Sequence, residues 1–398
     1  MKRSDQWLLP EGIEEVLPDR AARLERLRRR LLDVLDRRGF NLVRPPLVEY
    51  LDALLTGVGE DLDVQTVKLT DSVSGRLMGV RADHTPQIAR IDAHYLRHEG
   101  MSRLCYSGSV FRWSPGEIES TREPLQIGAE LYGCPDVDAD AEIVEAMIDT
   151  VQAAGVPDVH VHLGHVGVYR ALIQWAGLSE ALEADLFDAL RRQSRPDVEA
   201  ILSALPEQKA AFRKLLESRG DAGVIDAARH GFEEVPGVAA ALSNLTELLE
   251  RLERTLSHTR ISVDLSDLRG YRYHTGTVFN VYTPGYGRAL AQGGRYDEIG
   301  RAFGRARSAT GFSADLRRLL RYDSSCISGT AILAPSDGDG ELDAMVRRLR
   351  ADGERVIRAL PGESVDQLAD QCDRELIKRG DGWHIQPLEG QAKEFRRS

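Results

Sequence analysis

The stretch that most constrains this chain is LCYSGSVFRWSPGEIESTREPLQIGAELY, residues 104 to 132, whose pattern predicts two β-strands joined by a long loop. In the second half, apolar residues occupy every other position from 125 to 131. A period of two places alternate side chains on opposite faces of a sheet. One face is therefore apolar, and the other carries Gln126 and Glu130 on either side of Gly128.

The first strand of this pair has the same alternation. It places Arg112 on one face, with Phe111 and Trp113 on the other. If both strands belong to one sheet, Arg112 lies on the same face of that sheet as Gln126 and Glu130. We therefore expect a polar surface that carries both signs of charge.

An ordinary hairpin whose polar face meets water has the same alternation. The loop from Ser114 to Glu123 argues against that interpretation, because it is about twice the length of a common hairpin connection and long loops are more often functional. It holds three glutamates and one arginine, a local net charge of -2 (one minus three). The hairpin is thus a candidate site with an acidic loop beside it.

Composition limits the classes of protein that this chain can belong to. A length of 398 residues predicts roughly two or three domains at about 150 residues each. No run of 18 apolar residues offers a membrane span, and the first residues lack the apolar segment of a signal peptide, so we expect a cytoplasmic protein with no membrane contact. The four cysteines show no CxxC spacing, which favours reduced thiols. The net charge of -11 gives no general attraction to nucleic acid.

The first hundred residues predict a helix followed by short strands. After Pro18, Asp19 is a candidate cap for an amphipathic helix that ends at Gly39. Residues 64 to 81 predict a hairpin with its turn at Ser74 and Gly75, and a second helix is expected to begin near Asp83 or Thr85.

The remainder predicts a helical insertion between strands. A helix is expected over about 138 to 154, and residues 166 to 257 are almost wholly helical in pattern. Strands return from Ile261, and Ser313 is a candidate cap for a helix after them. Residues 327 to 398 predict a small α/β unit with one strand, two helices and a last hairpin. Three histidines are candidate metal ligands: His160, His162 and His165. Their spacing fits partly a strand and partly a turn, and no acid or cysteine completes the set, so we expect no metal.

Several polar side chains lie in strand or glycine-rich contexts, where burial requires that charges be paired. They could pair with one another or surround a zwitterion such as an amino acid, which offers one ammonium and one carboxylate. This set comprises Asp83, Thr85, Arg112, Gln126, Glu130, Arg269 and the segment GGRYD at 293 to 297.

At these residues the chain resembles the catalytic core of histidyl-tRNA synthetase, a class II synthetase, from about residue 10 to 322. Several of the family's motifs recur in order. The matching segments are FNLVRPPLVEY (motif 1), RLMGVRADHTPQIAR, GSVFRWSPGEIESTREPLQIGAE (motif 2), LRGYRYHTGTVF, AQGGRYD and GFSADLRRL (motif 3).

The resemblance implies an α+β fold with a class II synthetase-like antiparallel sheet, flanking helices and the helical insertion. It places that core at residues 1 to 326 and a small α/β domain at 327 to 398. It also implies a histidine site, in which Asp83, Gln126 and Glu130 hold the ammonium and neighbouring atoms beside Thr85. Two further residues follow from the same comparison: Arg269 meets the carboxylate side of the substrate, and Tyr273 the imidazole side.

The half of the site that would bind ATP departs from the synthetase pattern. Arg112 and Arg318 match the motif 2 and motif 3 arginines, which steer ATP phosphates in synthetases. However, the loop that follows Arg112 is acidic, and Asp315 replaces a motif 3 glycine. Arg272 stands where an aspartate is expected, and His274 replaces a tyrosine. Residues 327 to 398 hold 14 acidic and 11 basic side chains, unlike the basic footprint of a tRNA reader.

This combination resembles the regulatory subunits of ATP phosphoribosyltransferase, which share the synthetase fold. That family implies a subunit with no catalytic residues and no cofactor, with histidine as its effector. It also implies a homodimer, formed through residues 20 to 50, inside a hetero-oligomer with the short-form catalytic subunit of the first step of histidine biosynthesis, and no tRNA partner. The alternatives are a divergent histidyl-tRNA synthetase and a free-standing histidine sensor.

Overall fold

The computed structural model describes residues 7–57, 60–114, 121–192, 194–324, 331–336, 340–363, 368, 371–380 and 382–388, with the main chain alone at 60 and 61. The chain divides into two compact units, Met1–Ser324 and Ser325–Ser398.

The first unit is built on two sheets. Its strands, in chain order, are β1 Asn41–Leu42, β2 Val48–Tyr50, β3 Val67–Thr70, β4 Leu77–Val80, β5 Ser102–Ser109, β6 Leu125–Tyr132, β7 His160–His165, β8 Arg219–Gly220, β9 Arg260–Asp264, β10 Thr277–Thr283, β11 Tyr286–Arg295 and β12 Ala309–Asp315. The large sheet has the order β1-β5-β6-β12-β11-β10-β7-β9-β8, and the small one the order β2-β4-β3. In the large sheet β1 with β5 and β7 with β9 are parallel, whereas the other pairs are antiparallel. The predicted antiparallel sheet is thus mixed at two places.

Helices flank these sheets. They are α1 Pro18–Arg37, α2 Leu51–Leu54, α3 Glu60–Gln65, α4 Thr85–Arg90, α5 Val137–Ala153, α6 Val166–Ala176, α7 Glu180–Arg191, α8 Arg195–Leu202, α9 Lys209–Glu217, α10 Gly223–Gly231, α11 Val238–Thr255 and α12 Leu316–Leu319. A π-helix, Ile91–Leu96, continues α4, and a 3-10 helix covers Ile299–Phe303. None of the helices in the described ranges is long and apolar enough to cross a membrane.

The helix α1 forms because leucines recur along one stripe, and Leu24, Leu27, Leu31 and Leu35 are buried against the large sheet. The predicted cap at Asp19 is wrong. Proline occupies the first helical position, where its missing N–H costs no hydrogen bond, and Leu17 precedes it as the cap residue. Asp19 therefore lies inside the first turn.

The segment from α6 to α11 shares its core with the sheet. Leu186, Phe212 and Leu245 from these helices belong to the same buried cluster as Ile143 of α5 and Val161 of β7. One two-residue strand, β8, interrupts the helices and pairs with β9. The described part of the insertion therefore packs into the core of the first unit.

Ser313 does not cap a helix, contrary to the prediction. It lies within β12, paired with Gln292 of β11 and Gly128 of β6. Pairing on both sides extends the strand two residues further, and Asp315 then caps α12 by accepting a hydrogen bond from the backbone N–H of Arg317 at 3.0 Å.

The second unit comprises β13 Ala331–Ala334, α13 Gly340–Ala351, β14 Val356–Arg358, β15 Cys372–Arg379 and β16 Gly382–Pro387. Its sheet has the order β14-β13-β15-β16. The predicted last hairpin is present as β15 and β16, which are antiparallel. The three-residue strand β14 was missed, and the second predicted helix falls mostly on residues outside the described ranges.

Candidate functional site

The polar face of the predicted hairpin forms the floor of a cavity of about 440 Å³, within the roughly 300–1,000 Å³ range of small-molecule sites. β6 pairs with β5 on one side and β12 on the other, which places Glu130 opposite Gly311. Of the residues predicted for histidine, all except Gln126 line the cavity: Asp83, Thr85, Arg112, Glu130, Arg269 and Tyr273. The structure therefore brings together side chains up to 190 positions apart in sequence (273 minus 83).

Gly311 keeps this floor open. A Cβ at that position would lie 1.7 Å from Oε2 of Glu130 and 2.5 Å from the Tyr296 hydroxyl oxygen. Any side chain there would displace both groups. A glycine is thus required for Glu130 to reach the cavity.

Glu130 is the deepest acid of the site and is only 1% exposed. Its Oε1 accepts hydrogen bonds from the Thr85 hydroxyl at 3.1 Å and the Tyr106 hydroxyl at 3.2 Å. Its Oε2 is buried without a hydrogen-bond partner among the described residues. Burial, and then repulsion from Asp83, raises the pKa of the Glu130 carboxyl well above its usual value. A buried acceptor without a partner is costly, so this oxygen is suited to an N–H group of a ligand.

Gln126 reaches the cavity only through Asp83. Its Nε2 donates to Oδ2 of Asp83 at 2.9 Å, and its Oε1 lies 2.8 Å from Nδ1 of His84. The backbone N–H of Thr85 donates to Oδ1 of Asp83 at 2.8 Å. Both ends of its amide are thus occupied within the chain, and direct contact between Gln126 and a ligand stays a prediction.

His84 completes this network and was not predicted. Its ring stacks on Tyr106 with centroids 4.6 Å apart and is buried. Burial, followed by the positive charge of Arg81, lowers the pKa of His84 to about 4. The ring is therefore neutral near pH 7, and it donates its Nδ1–H to Gln126, whose Oε1 can only accept. This arrangement fixes the orientation of the Gln126 amide and, through it, that of Asp83.

Arg112 also lines the cavity, but it does not lie on a strand as predicted. β5 ends at Ser109, and Arg112 follows in an extended segment that bridges to Thr66. Its backbone N–H donates to the carbonyl of Arg122, whose Nε donates back to the Arg112 carbonyl. Within the described ranges, no carboxylate forms an ion pair with the Arg112 guanidinium. Its charge is available to an anionic group in the cavity.

Arg269 differs from Arg112 because it already has an anionic partner. Its Nε and one terminal nitrogen donate to the two carboxylate oxygens of Asp267 at 2.9 and 2.7 Å. Asn280 donates to the same carboxylate at 2.8 Å. Asp267 was not predicted, because nothing in a lone aspartate of a loop sequence indicates which arginine it will pair with.

Tyr273 forms part of the cavity rim. It is 50% exposed, and the centroid of its ring lies 4.2 Å from that of the buried His274.

The hydroxyl of Tyr296, another lining residue, is buried and has no hydrogen-bond partner in the part of the chain that is described. Tyr296 belongs to the GGRYD segment singled out from the sequence, and it adds a second polar atom without a partner beside Glu130.

The two arginines of α12 face carboxylates. Arg317 pairs with Glu14 at 3.0 Å and with Glu123 at 3.5 Å, and Arg318 lies 3.8 Å from Asp315. Two of the three loop glutamates, Glu117 and Glu119, lie outside the described residues. Even without those two, the positive charge near the motif 3 position is neutralised within the chain.

The described ranges contain no group of three or more His, Cys, Asp or Glu side chains that could bind a metal ion. His160 instead lies 3.1 Å from the hydroxyl of Ser262, and the His162 ring packs on Tyr282. Both histidines therefore have contacts within the sheet, with side chains of β9 and β10.

Comparison with known proteins gives two family matches. Residues 12–319 match the family described as histidyl-tRNA synthetase, and residues 329–386 match the ATP phosphoribosyltransferase subunit HisZ C-terminal domain. A curated protein from Pseudomonas syringae pv. syringae, named ATP phosphoribosyltransferase regulatory subunit, is 48% identical over 98% of this chain and 100% of its own.

Solved structures agree on the fold. A Bacillus halodurans protein titled ATP phosphoribosyltransferase regulatory subunit/histidyl-tRNA synthetase has a TM-score of 0.83 and 27% identity, over 94% of this chain and 98% of the other. Histidyl-tRNA synthetase from Nostoc sp. PCC 7120 has a TM-score of 0.77 at 20% identity, over 93% and 91% of the two chains, which supports the fold alone. The predicted class II synthetase-like fold is confirmed.

Proposed function

This chain belongs to the family of ATP phosphoribosyltransferase regulatory subunits, and from that premise we propose that its cavity binds free L-histidine and passes that signal to a catalytic subunit. The observation that carries the proposal is the pairing of chemistries across one cavity. An acceptor without a partner on Glu130 lies at the floor, and a cation without a carboxylate partner among the described residues, Arg112, lies at the wall.

The ammonium of histidine is assigned to the acidic side. Asp83 is held by Gln126 and by the backbone of Thr85, so its carboxylate is positioned before the ligand arrives. The Thr85 hydroxyl and Glu130 complete a set that accepts N–H groups. Charge-assisted hydrogen bonds of this kind contribute about 1.5–3 kcal/mol each.

The remaining groups of histidine are assigned to the other walls. Arg112 takes the carboxylate, because its guanidinium lines the cavity and forms no ion pair with a carboxylate of the described residues. The imidazole lies toward Tyr273 and the buried Tyr296 hydroxyl. Arg269, bound to Asp267, contributes to the site as part of a neutral pair.

The proposed partner is the short-form catalytic subunit of ATP phosphoribosyltransferase. It binds a homodimer of this chain, which forms through residues 20 to 50. Histidine then inhibits the complex by binding one of its states better than another, since a ligand shifts an equilibrium only by its differential affinity. This chain contributes no catalytic residue and binds no tRNA.

A divergent histidyl-tRNA synthetase is the competing function, favoured by the match over residues 12–319. Adenylation needs positive charge for a triphosphate, yet Arg317 and Arg318 already face Glu14, Glu123 and Asp315.

The two functions are separated by histidine-dependent exchange of pyrophosphate into ATP, measured on the purified chain with a histidyl-tRNA synthetase as positive control. We expect no exchange above the rate without histidine, while the same preparation binds histidine. Exchange at synthetase-like rates would show that the chain activates the amino acid, and the regulatory assignment of the cavity would then be wrong.

A further inference from the structure

The cavity contains an arginine whose charge is neutralised by the chain itself. Arg269 and Asp267 are two residues apart and form a two-point ion pair at 2.9 and 2.7 Å. The Asp267 side chain is only 7% exposed, whereas that of Arg269 is 48% exposed and lines the cavity. The acid therefore lies behind the arginine as seen from the ligand space.

Asp267 is held in place by more than its partner. Asn280, on β10, donates to Oδ2 of Asp267 at 2.8 Å, and the backbone N–H of Arg269 donates to Oδ1 at 3.1 Å. With these donors and the guanidinium, both carboxylate oxygens are satisfied. The pair is a fixed unit, and Arg269 cannot turn to a ligand without breaking two charge-assisted hydrogen bonds.

The ion pair between Arg269 and Asp267 determines the net charge of the cavity lining that a ligand contacts. Asp83 offers one negative charge and Arg112 one positive charge, which match the ammonium and carboxylate of an amino acid. A ligand with a phosphate in place of the carboxylate carries up to one further negative charge, and its best additional partner would be Arg269. Specificity can come from withholding such a partner from the wrong ligand.

We propose that Asp267 is a specificity-determining residue, which neutralises Arg269 so that the cavity accepts a zwitterionic amino acid and rejects the analogue in which a phosphate monoester replaces the carboxylate. The inference rests on the proposed function, since it assumes that histidine binds in this cavity. It adds a residue outside the predicted set and a ligand class that the site excludes.

The test compares the dissociation constants of L-histidine and L-histidinol phosphate, in which a phosphate ester replaces the carboxylate, on the full-length chain. Asp267→Asn keeps the shape of the side chain but releases the Arg269 guanidinium. We expect the preference for histidine over the phosphate ester to fall by about tenfold or more, the effect of one gained charge-assisted contact. Arg272 also lines the cavity but is the same in each variant, so it cannot cause the change.

The matched control is the double variant Asp267→Asn/Arg269→Gln, which replaces one neutral pair with another. We expect it to regain the wild-type preference for histidine over the phosphate ester, because the cavity again holds no released guanidinium at this position. A preference unchanged in Asp267→Asn would overturn the proposal, as would a double variant that keeps the altered preference. If Asp267→Asn does not fold, Asp267→Ser, which also removes the negative charge, takes its place in the same comparison. Failure of the wild-type chain to bind histidine at all would instead refute the proposed function.

Discussion

Replacing Glu130 with alanine is expected to leave the complex with the catalytic subunit assembled and active, while its inhibition by histidine shifts to higher concentration by about tenfold or more. The carboxylate supplies an N–H acceptor at the cavity floor, and no other described acid takes its position. Under the proposed function, turnover takes place in the partner's own active site, so the basal rate should hardly change. The measurement is an inhibition curve of phosphoribosyltransferase activity on the reconstituted complex.

Two further variants make this result interpretable. Glu130→Gln keeps the shape and the hydrogen bonds to Thr85 and Tyr106 but cannot ionise, so it isolates the effect of charge. Glu250→Ala removes an exposed carboxylate of α11, outside the cavity, and should keep wild-type sensitivity. Wild-type sensitivity in Glu130→Ala would place the feedback site on the catalytic subunit.

Replacing Asp140 with alanine is expected to lower the free energy of unfolding by about 3 kcal/mol, near the lower end of the usual cost of breaking a buried ion pair, because Arg295 keeps only the longer contact of 3.4 Å with the half-buried Asp297. Asp140 lies on α5 with no exposed side-chain surface, 3.0 Å from Nε of Arg295 at the end of β11. Arg295 is also buried and donates to the backbone carbonyls of Cys134 and Asp136. Its guanidinium cannot leave for water without breaking those contacts.

Denaturant unfolding of wild type and variant measures this effect, with Asp138→Ala as the matched control on the same helix. Asp138 pairs with Arg251 at 2.6 Å, but its side chain is 60% exposed. Its loss should therefore cost less than about 1 kcal/mol. Equal costs for the two aspartates would mean that burial does not determine the strength of the pair, contrary to the structure described here.

The floor of the site could be predicted from sequence because one strand determines it. Alternation from 125 to 132 places Gln126 and Glu130 on one face whatever the rest of the chain does. The role of Gln126 could not be predicted in the same way. It depends on Asp83 and His84, which reach β6 from a loop more than 40 positions earlier.

Where strand ends were misjudged, tertiary pairing was the cause. Arg112 was predicted on the strand β5, but the chain leaves that strand after Ser109 and bridges to Thr66, so the arginine lines the cavity from outside the strand. Ser313 has the composition of a helix cap, yet strand partners on both sides hold it in β12. Local propensity is a weak guide where two neighbouring strands supply hydrogen bonds.

The central claim is that this cavity binds histidine, and titration calorimetry of histidine into the purified chain tests it most directly. The raised pKa of Glu130 means that the folded chain without ligand retains this proton to higher pH than an exposed carboxyl would. A ligand N–H favours the ionised form, so binding should release a proton, and affinity should increase as pH rises toward that pKa while the ligand ammonium stays charged.

We therefore expect one histidine per chain, with a heat that depends on the ionisation enthalpy of the buffer, and a smaller release of protons to the buffer in Glu130→Gln. The comparison with Glu130→Gln separates proton release by the protein from titration of the ligand's own imidazole. Absence of saturable binding up to millimolar histidine, or identical proton release in Glu130→Gln, would contradict the assignment of this cavity to histidine through Glu130.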